Sequence, residues 1–448
     1  MLDCIVVGAG ISGLVAGLDL TDAGLDVVVL EARERIGGRV ENSALADGNV
    51  IELGGQWIAP SHEGMTKFVD DFKLLRIPMT PGDTVIIADG KATRISPKSS
   101  EFAYNPFEMS DLGQGVVRFE HLAALSNSDE EWLQEHQGWI SQSANRWINA
   151  NLRTPGGRQA FSHVLAETIG EIDLTSTTLS EILRRSRGGL SIDSLVAVSG
   201  GLPNVRLEGG IFRICEELAN HLGDKIILNS VVESIIRGRK SVKVTTRSGE
   251  TFEAGQVIVT LPPWLVNTID FKPSLPSWRQ EVTDRQTPGS IIKSYLLYPK
   301  PWWWEEGLSG QMGSDAGPVR VMFDTSNDDN AYGVLVGFFD GEDADEWRHK
   351  PVAIRERALV QAAVAAFGER AANPISYAER DWFTEEFTKG CHVPHFIPGL
   401  WTVNGSLLAE PEGRVHFAGA EYASKHNGYL EGAVFSARQA VDEVLEAS

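Results

Sequence analysis

The chain has 448 residues, 42% apolar and 23% charged, ordinary globular values on a length that calls for two domains rather than one core. A formal net charge of −21 argues against partners such as nucleic acid or an anionic membrane surface, which recruit basic patches, whereas an acidic field raises the local concentration of a cationic ligand. The three cysteines, Cys4, Cys215 and Cys391, are far apart and form no CxxC pair, which argues against a disulfide framework or a zinc site and fits a reducing compartment.

Cys4-Ile-Val-Val-Gly8 reads as a strand buried on both faces, entered without a preceding signal peptide, so a cytoplasmic location is expected. Gly8-Ala-Gly10-Ile-Ser12-Gly13 follows, then a helix over Leu14 to Ala23 stopped by Gly24. Asp26 to Leu30 is a second strand ending at Glu31, completing a βαβ unit. Val116 to Leu152 and Leu165 to Arg187 carry amphipathic helical patterns. Strands are expected at 225–228, 231–236, 242–246 and 257–260, with a hairpin-type turn at Arg247-Ser-Gly249-Glu. Further strands are expected over Ile291 to Tyr298 and Tyr332 to Phe339, and a helix over Ile354 to Phe367. A strand over 415–418 and a helix from Leu430 to Glu446 close the chain, with no apolar tail of membrane-spanning length.

The glycine motif lies where a phosphate cradle needs it, with a strand before it and a helix after it. Gly8 makes the tight exit from the strand, Gly10 lets a pyrophosphate approach the backbone, and Gly13 lets the helix pack on the sheet. The helix N-terminus offers free N–H groups to phosphates, and Glu31 is placed to accept ribose hydroxyls and to repel a 2′-phosphate. This pattern alone does not separate FAD from NAD.

The next segments, Ala32-Arg33-Glu-Arg35-Ile-Gly37-Gly38-Arg39 and Glu52-Leu-Gly54-Gly55-Gln56-Trp57, resemble the monoamine oxidase family of FAD-dependent amine oxidases. So does the last block, Phe417-Ala-Gly419-Ala-Glu421 followed by Gly428-Tyr429-Leu430-Glu431-Gly432-Ala433. The resemblance runs nearly the full length and is weakest between about 80 and 200. It implies an α/β fold: a Rossmann-like FAD-binding domain from the discontinuous segments 1–78, 206–286 and 386–448, with an inserted α+β substrate-binding domain of 79–205 and 287–385. It also implies an enzyme that oxidises a small-molecule amine to an imine by hydride transfer to flavin N5, with O2 or another electron acceptor returning the flavin to its oxidised state.

Carried over residue by residue, the resemblance puts Arg33 near the adenosine, Arg39 near the pyrophosphate, and Gly55, Gln56 and Trp57 along the flavin. Val232 would meet adenine through its backbone, and Glu421 the ribityl or phosphate region. The helix from Leu430 would direct its positive end at the flavin. Lys293 matches the family's active-site lysine and Trp382 its tryptophan beside the flavin. Tyr429 matches one wall of the aromatic cage, and His392 stands where the second wall is usually aromatic. Cys391 occupies the position at which some members bond the flavin covalently; covalent attachment and simple packing of a small thiol both remain open. Amino-acid, polyamine and heterocyclic (nicotine-type) amine oxidation, a carbocyclic desaturase, and a non-catalytic flavin-fold binding protein are the rival readings. A homodimer is one expected assembly.

Among the other conspicuous residues, Trp302-Trp-Trp304 is expected to pack in a core or between domains. No metal site is expected: no HExxH occurs, and the acidic residues Asp324, Asp328, Asp329 and 340–346 match no calcium loop and are expected in solvated loops. His416 is expected to be structural.

Overall fold

A computed structural model describes the chain except residues 46–49, 60, 89, 97–105, 129–131, 133–134, 170–173, 187–204, 315, 328–331, 397–404 and 448. At 88, 106–110, 127–128, 163–164, 166–169, 184–186, 287, 392–396 and 405–406 only the backbone is described.

The β-branched run at the N-terminus forms the strand Leu2–Val7, whose last four residues are buried on both faces. It pairs in parallel with Val27–Leu30 on one side and with Thr251–Val259 on the other. The full sheet has eight strands, running Asp270–Lys272, Val232–Arg237, Val242–Thr246, Thr251–Val259, Leu2–Val7, Val27–Leu30 and Ile226–Ile227, with Val415–Phe417 also paired to Thr251–Val259. The long strand changes partner along its length: residues 251–254 pair antiparallel with Val242–Thr246, and 257–259 pair parallel with Val415–Phe417. Three separated stretches of chain therefore share one sheet. Helices Ile11–Asp22, Phe212–Leu222 and Leu430–Glu446 bury their apolar sides in the core on one face, where Leu14, Ile214, Leu218 and Ala437 meet Val6 and Val29. The opposite face packs a second core around Ile5, Val28, Val244 and Val257.

A second sheet of seven strands runs Ser376–Asp381, Ile291–Tyr298, Gly333–Asp340, Val321–Asp324, Leu308–Ser314, Asp83–Ala88 and Lys91–Ile95, antiparallel except where Asp83–Ala88 lies parallel to Leu308–Ser314. The strand Ile291–Tyr298 is buried at all eight positions, and its side chains alternate between two cores. Ile292, Leu296 and Tyr298 join Trp302, Trp303 and Leu359, while Tyr295 and Leu297 turn to Ile51 and Leu53. The tryptophan run is therefore packing, as expected. Helices Pro106–Ser128, Ala144–Asn151, Pro155–Ile169 and Leu179–Ser186 build a separate core centred on Trp147, Phe119 and Phe161. Among the described residues, no helix is long and apolar enough to cross a membrane.

The mixed α/β class with a parallel sheet is the one read from sequence. The amphipathic stretch from Val116 to Leu152 is not one helix; it is the end of Pro106–Ser128, the short Gln137–Ile140, and Ala144–Asn151. Asp324 is not in a solvated loop. It ends a strand, is 8% exposed, and accepts hydrogen bonds from the Ser326 amide at 2.9 Å and Trp304 Nε1 at 2.6 Å.

Candidate functional site: a dinucleotide groove and a lysine-pinned segment

The C-terminal ends of Leu2–Val7 and Val27–Leu30 open onto a groove of about 310 Å³. Of the residues read from sequence, Gly8, Gly10, Ser12, Glu31, Arg33, Arg39, Val232, Gly419 and Leu430 line it. The glycines divide their tasks. A Cβ on Gly13 would stand 1.8 Å from the Gly8 carbonyl oxygen, so the helix can approach its strand only without one. A Cβ on Gly10 would meet nothing nearer than the Gly38 Cα at 3.8 Å, which leaves its backbone open to a ligand. Glu31, 3% exposed, accepts the amides of Ala9 at 2.7 Å and Arg33 at 2.9 Å, which fixes the loop around the helix entrance. Arg33 Nη2 and Thr388 Oγ1 belong to residues on the groove wall and are buried without a hydrogen-bond partner. Open backbone at the helix N-terminus and two buried polar atoms that make no hydrogen bond fit a flavin dinucleotide.

Arg39 and Glu421 lie at the middle of the arrangement. The guanidinium donates to Oε1 at 2.6 Å and Oε2 at 2.9 Å of a carboxylate that is 1% exposed. Burial works against the Arg39 charge, but the Glu421 carboxylate outweighs it and holds the group above its ordinary value. Tyr429 is the N-cap residue of Leu430–Glu446, and the Gly428 amide donates to Ala420 O at 2.9 Å. Leu430 also packs against Gly55, where an added Cβ would come within 3.1 Å of Leu430 Cδ2.

Beyond the groove, residues 52–56 are held by donors from the second sheet. Lys293 Nζ donates to the carbonyls of Glu52 and Gly54, both at 2.7 Å, and also to Gln56 Oε1. Tyr295, two residues on and on the same strand face, donates to the Glu52 carbonyl and to Gln56 Oε1. Trp382, 0% exposed, donates Nε1–H to Leu53 O at 2.9 Å. Burial pushes the Lys293 ammonium down to about 7, against the pull of the Glu52 carboxylate. Glu52 is pushed up by burial in turn, and its Oε1 accepts the Ile211 amide at 2.7 Å. The rings of Trp57 and Phe338 lie 5.5 and 6.0 Å from Lys293 Nζ, and Phe323 packs edge-on to Trp57. Lys293 is thus on an interior strand, not at a sheet edge.

Cys4 and Cys215 are buried thiols pushed up to about 12, the condition of unreactive packing residues. Cys391 is half-buried. The side chain of His392 lies outside the described residues. His416 Nδ1 pairs with Glu443 at 2.9 Å, a structural contact.

Sequence reading missed three contributors. Tyr295 could have been found from its i+2 spacing to Lys293 on one strand face. His62, whose ring is 6.2 Å from that of Tyr429, sits in a turn without a motif. Residues 386–389 line the groove from a loop that carries no periodic signal.

The flavin containing amine oxidoreductase family matches residues 11–445. A protein named as a flavin-containing monoamine oxidase of Mycobacterium tuberculosis is 33% identical over 449 residues, covering 99% of this chain and 96% of that protein. Putrescine oxidase, in a structure bound to putrescine, has a TM-score of 0.92 at 27% identity, covering 99% of each chain. Cyclohexylamine oxidase from Brevibacterium oxydans has a TM-score of 0.90 at 28% identity, again over 99% of each chain. The chain belongs to the flavin containing amine oxidoreductase family and is a flavin-dependent amine oxidase.

Proposed function

We propose that the protein is an FAD-dependent oxidase of a small, apolar-bodied amine, using O2 as acceptor and releasing H2O2. The observation that carries this reading is the juxtaposition of a dinucleotide groove with Lys293, whose ammonium fixes the 52–56 segment beside it. In this reading the first sheet with segments 1–78, 206–286 and 386–448 holds the cofactor. Segments 79–205 and 287–385 bring Lys293, Trp382 and the substrate pocket to it.

When bound, the flavin supplies the two-electron acceptor for the C–H bond next to the amine nitrogen. The chain does the rest. Arg39, the Gly10 backbone and the Leu430 helix end hold the cofactor's anionic parts. Lys293, Tyr295 and Trp382 fix Gly55, Gln56 and Trp57, so that the wall facing the reacting carbon does not give. Tyr429 frames the amine; His392, on the strand Cys391–Phe396, holds the sequence position at which the resemblance puts a second wall. The clustered rings of Trp57, Phe323 and Phe338 offer apolar surface on which a substrate body would pack. Cyclohexylamine oxidase is named for such a substrate, and putrescine oxidase for a diamine.

Peroxide release across a panel of cycloalkyl, aryl and diamine substrates tests the reading. Bleaching of the flavin by an amine without air, and its return with air, is the expected companion result. A protein that retains flavin yet neither bleaches nor makes peroxide with any amine sinks it. Cys391 is the residue that would carry a covalent link; yellow colour remaining in an acid-precipitated pellet supports the link, and colour in the supernatant removes it.

A further inference from the structure

Residues 383–390 leave the site at Trp382, run along the groove and return at Cys391. Glu386, Phe387, Thr388 and Lys389 form part of the groove wall. The loop turns tightly on itself, with the amides of Thr388 and Lys389 both donating to Glu385 O, at 3.1 and 2.7 Å. Lys389 takes a φ of 47°, a left-handed conformation that a non-glycine residue holds only when its surroundings impose it.

What ties this loop down comes mostly from the cofactor side. Glu385 pairs with Arg380 at 2.7 Å and stands 3.9 Å from Arg33, and Glu386 pairs with Arg247 at 3.4 Å. The Arg33 guanidinium lies 5.5 Å from the Phe387 ring centre. Trp264 Nε1 donates to Thr388 O at 2.6 Å. These ion pairs are partly exposed and individually weak. Arg33 Nη2 and Thr388 Oγ1 remain buried without a hydrogen bond at the two sides of this junction. In a βαβ cradle, the acidic end of the second strand meets the ribose. Arg33 follows Glu31 there, so the loop covers the adenosine half.

We propose that residues 385–388 are a strap that closes over the adenosine half of the dinucleotide and sets how slowly it leaves. Arg33 Nη2 and Thr388 Oγ1 hydrogen-bond to ribose or phosphate oxygens beneath it. The strap rests on the FAD reading given above, and its loss opens the groove without touching the chemistry at Lys293.

The test follows flavin fluorescence on dilution in a Cys391→Ala background, where no thioether can retain the ring. Phe387→Ala is expected to release flavin about tenfold faster than the Cys391→Ala parent, and Glu385→Gln, which loses only weak ion pairs, about threefold faster. Release within twofold of that parent, from variants that melt cooperatively, overturns the strap. Should a variant not fold, trypsin cleavage after Lys389 in the unsubstituted protein decides. Flavin-loaded protein is expected to be cut more slowly than flavin-free protein, and equal rates overturn the proposal. Mass analysis of the released flavin keeps the two readings apart: FMN removes both, whereas FAD with unchanged release rates removes the strap alone.

Discussion

Arg39 and Glu421 are 382 residues apart in sequence and meet through two hydrogen bonds of 2.6 and 2.9 Å. The partners are unequally placed, since the Arg39 side chain is 22% exposed and that of Glu421 1%. Removing the arginine strands a carboxylate in the interior, whereas removing the carboxylate leaves a guanidinium that can still reach water. Arg39→Ala is therefore expected to cost ~3–5 kcal/mol in chemical denaturation, and Glu421→Ala distinctly less. Equal costs would show that burial does not set the energetics of the pair. Both variants are expected to purify with reduced flavin.

Trp382 spends its one hydrogen-bonding group on Leu53 O. Trp382→Phe keeps most of the shape and leaves that buried carbonyl unmet, at an expected cost of ~1–3 kcal/mol by denaturant titration. A neutral result would mean that the 52–56 segment does not depend on this donor.

Lys293→Met removes the charge and the donors to Glu52 O and Gly54 O while keeping a long apolar side chain. A fall of ~10²-fold in kcat/KM for the best amine, with flavin content unchanged, is the expected outcome. Activity within a factor of about three of the parent would reduce Lys293 to a structural strut.

His62 is 7% exposed, and its Nδ1 accepts the Ala59 amide at 3.3 Å. Burial, aided by the neighbouring His426, pushes it from 6.5 down to about 4. Between those values the unfolded chain binds a proton that the folded protein refuses. Stability therefore falls as pH drops through this window, by ~1.4 kcal/mol per pH unit for the one group. His62→Gln keeps an oxygen for the Ala59 amide and is expected to flatten that slope. Parallel parent and variant curves from pH 6.5 to 4 would remove the assignment.

The parts of the fold that were legible in the sequence are those whose periodicity is set by burial on both faces. Ile291–Tyr298 is buried throughout, and its apolar run marks its two ends. Lys91–Ile95 is exposed at four of its five positions, so it offers no pattern, although it completes a sheet. Asp324 was unreadable for another reason. An acid's burial depends on its donors, and Trp304 arrives from 20 residues away through tertiary packing. The groove glycines and Glu31 were legible because glycine and acid positions follow from local backbone geometry. The 386–389 wall was not, because a loop's place over a groove is decided by partners such as Arg247 and Trp264.

The partner change along Thr251–Val259 has a consequence for biosynthesis. The eight-stranded sheet cannot be completed when Leu2–Val7 and Val27–Leu30 leave the ribosome, because Val415–Phe417 is made only after the long intervening chain. Ser12 Oγ likewise waits for Ala433 O, 421 residues later. Until then the nascent chain exposes the edge and apolar face that the terminal helix will cover, a template for aggregation. A nonsense mutation or premature arrest before Val415 should therefore yield a chaperone client or inclusion-body material, not a smaller flavoprotein.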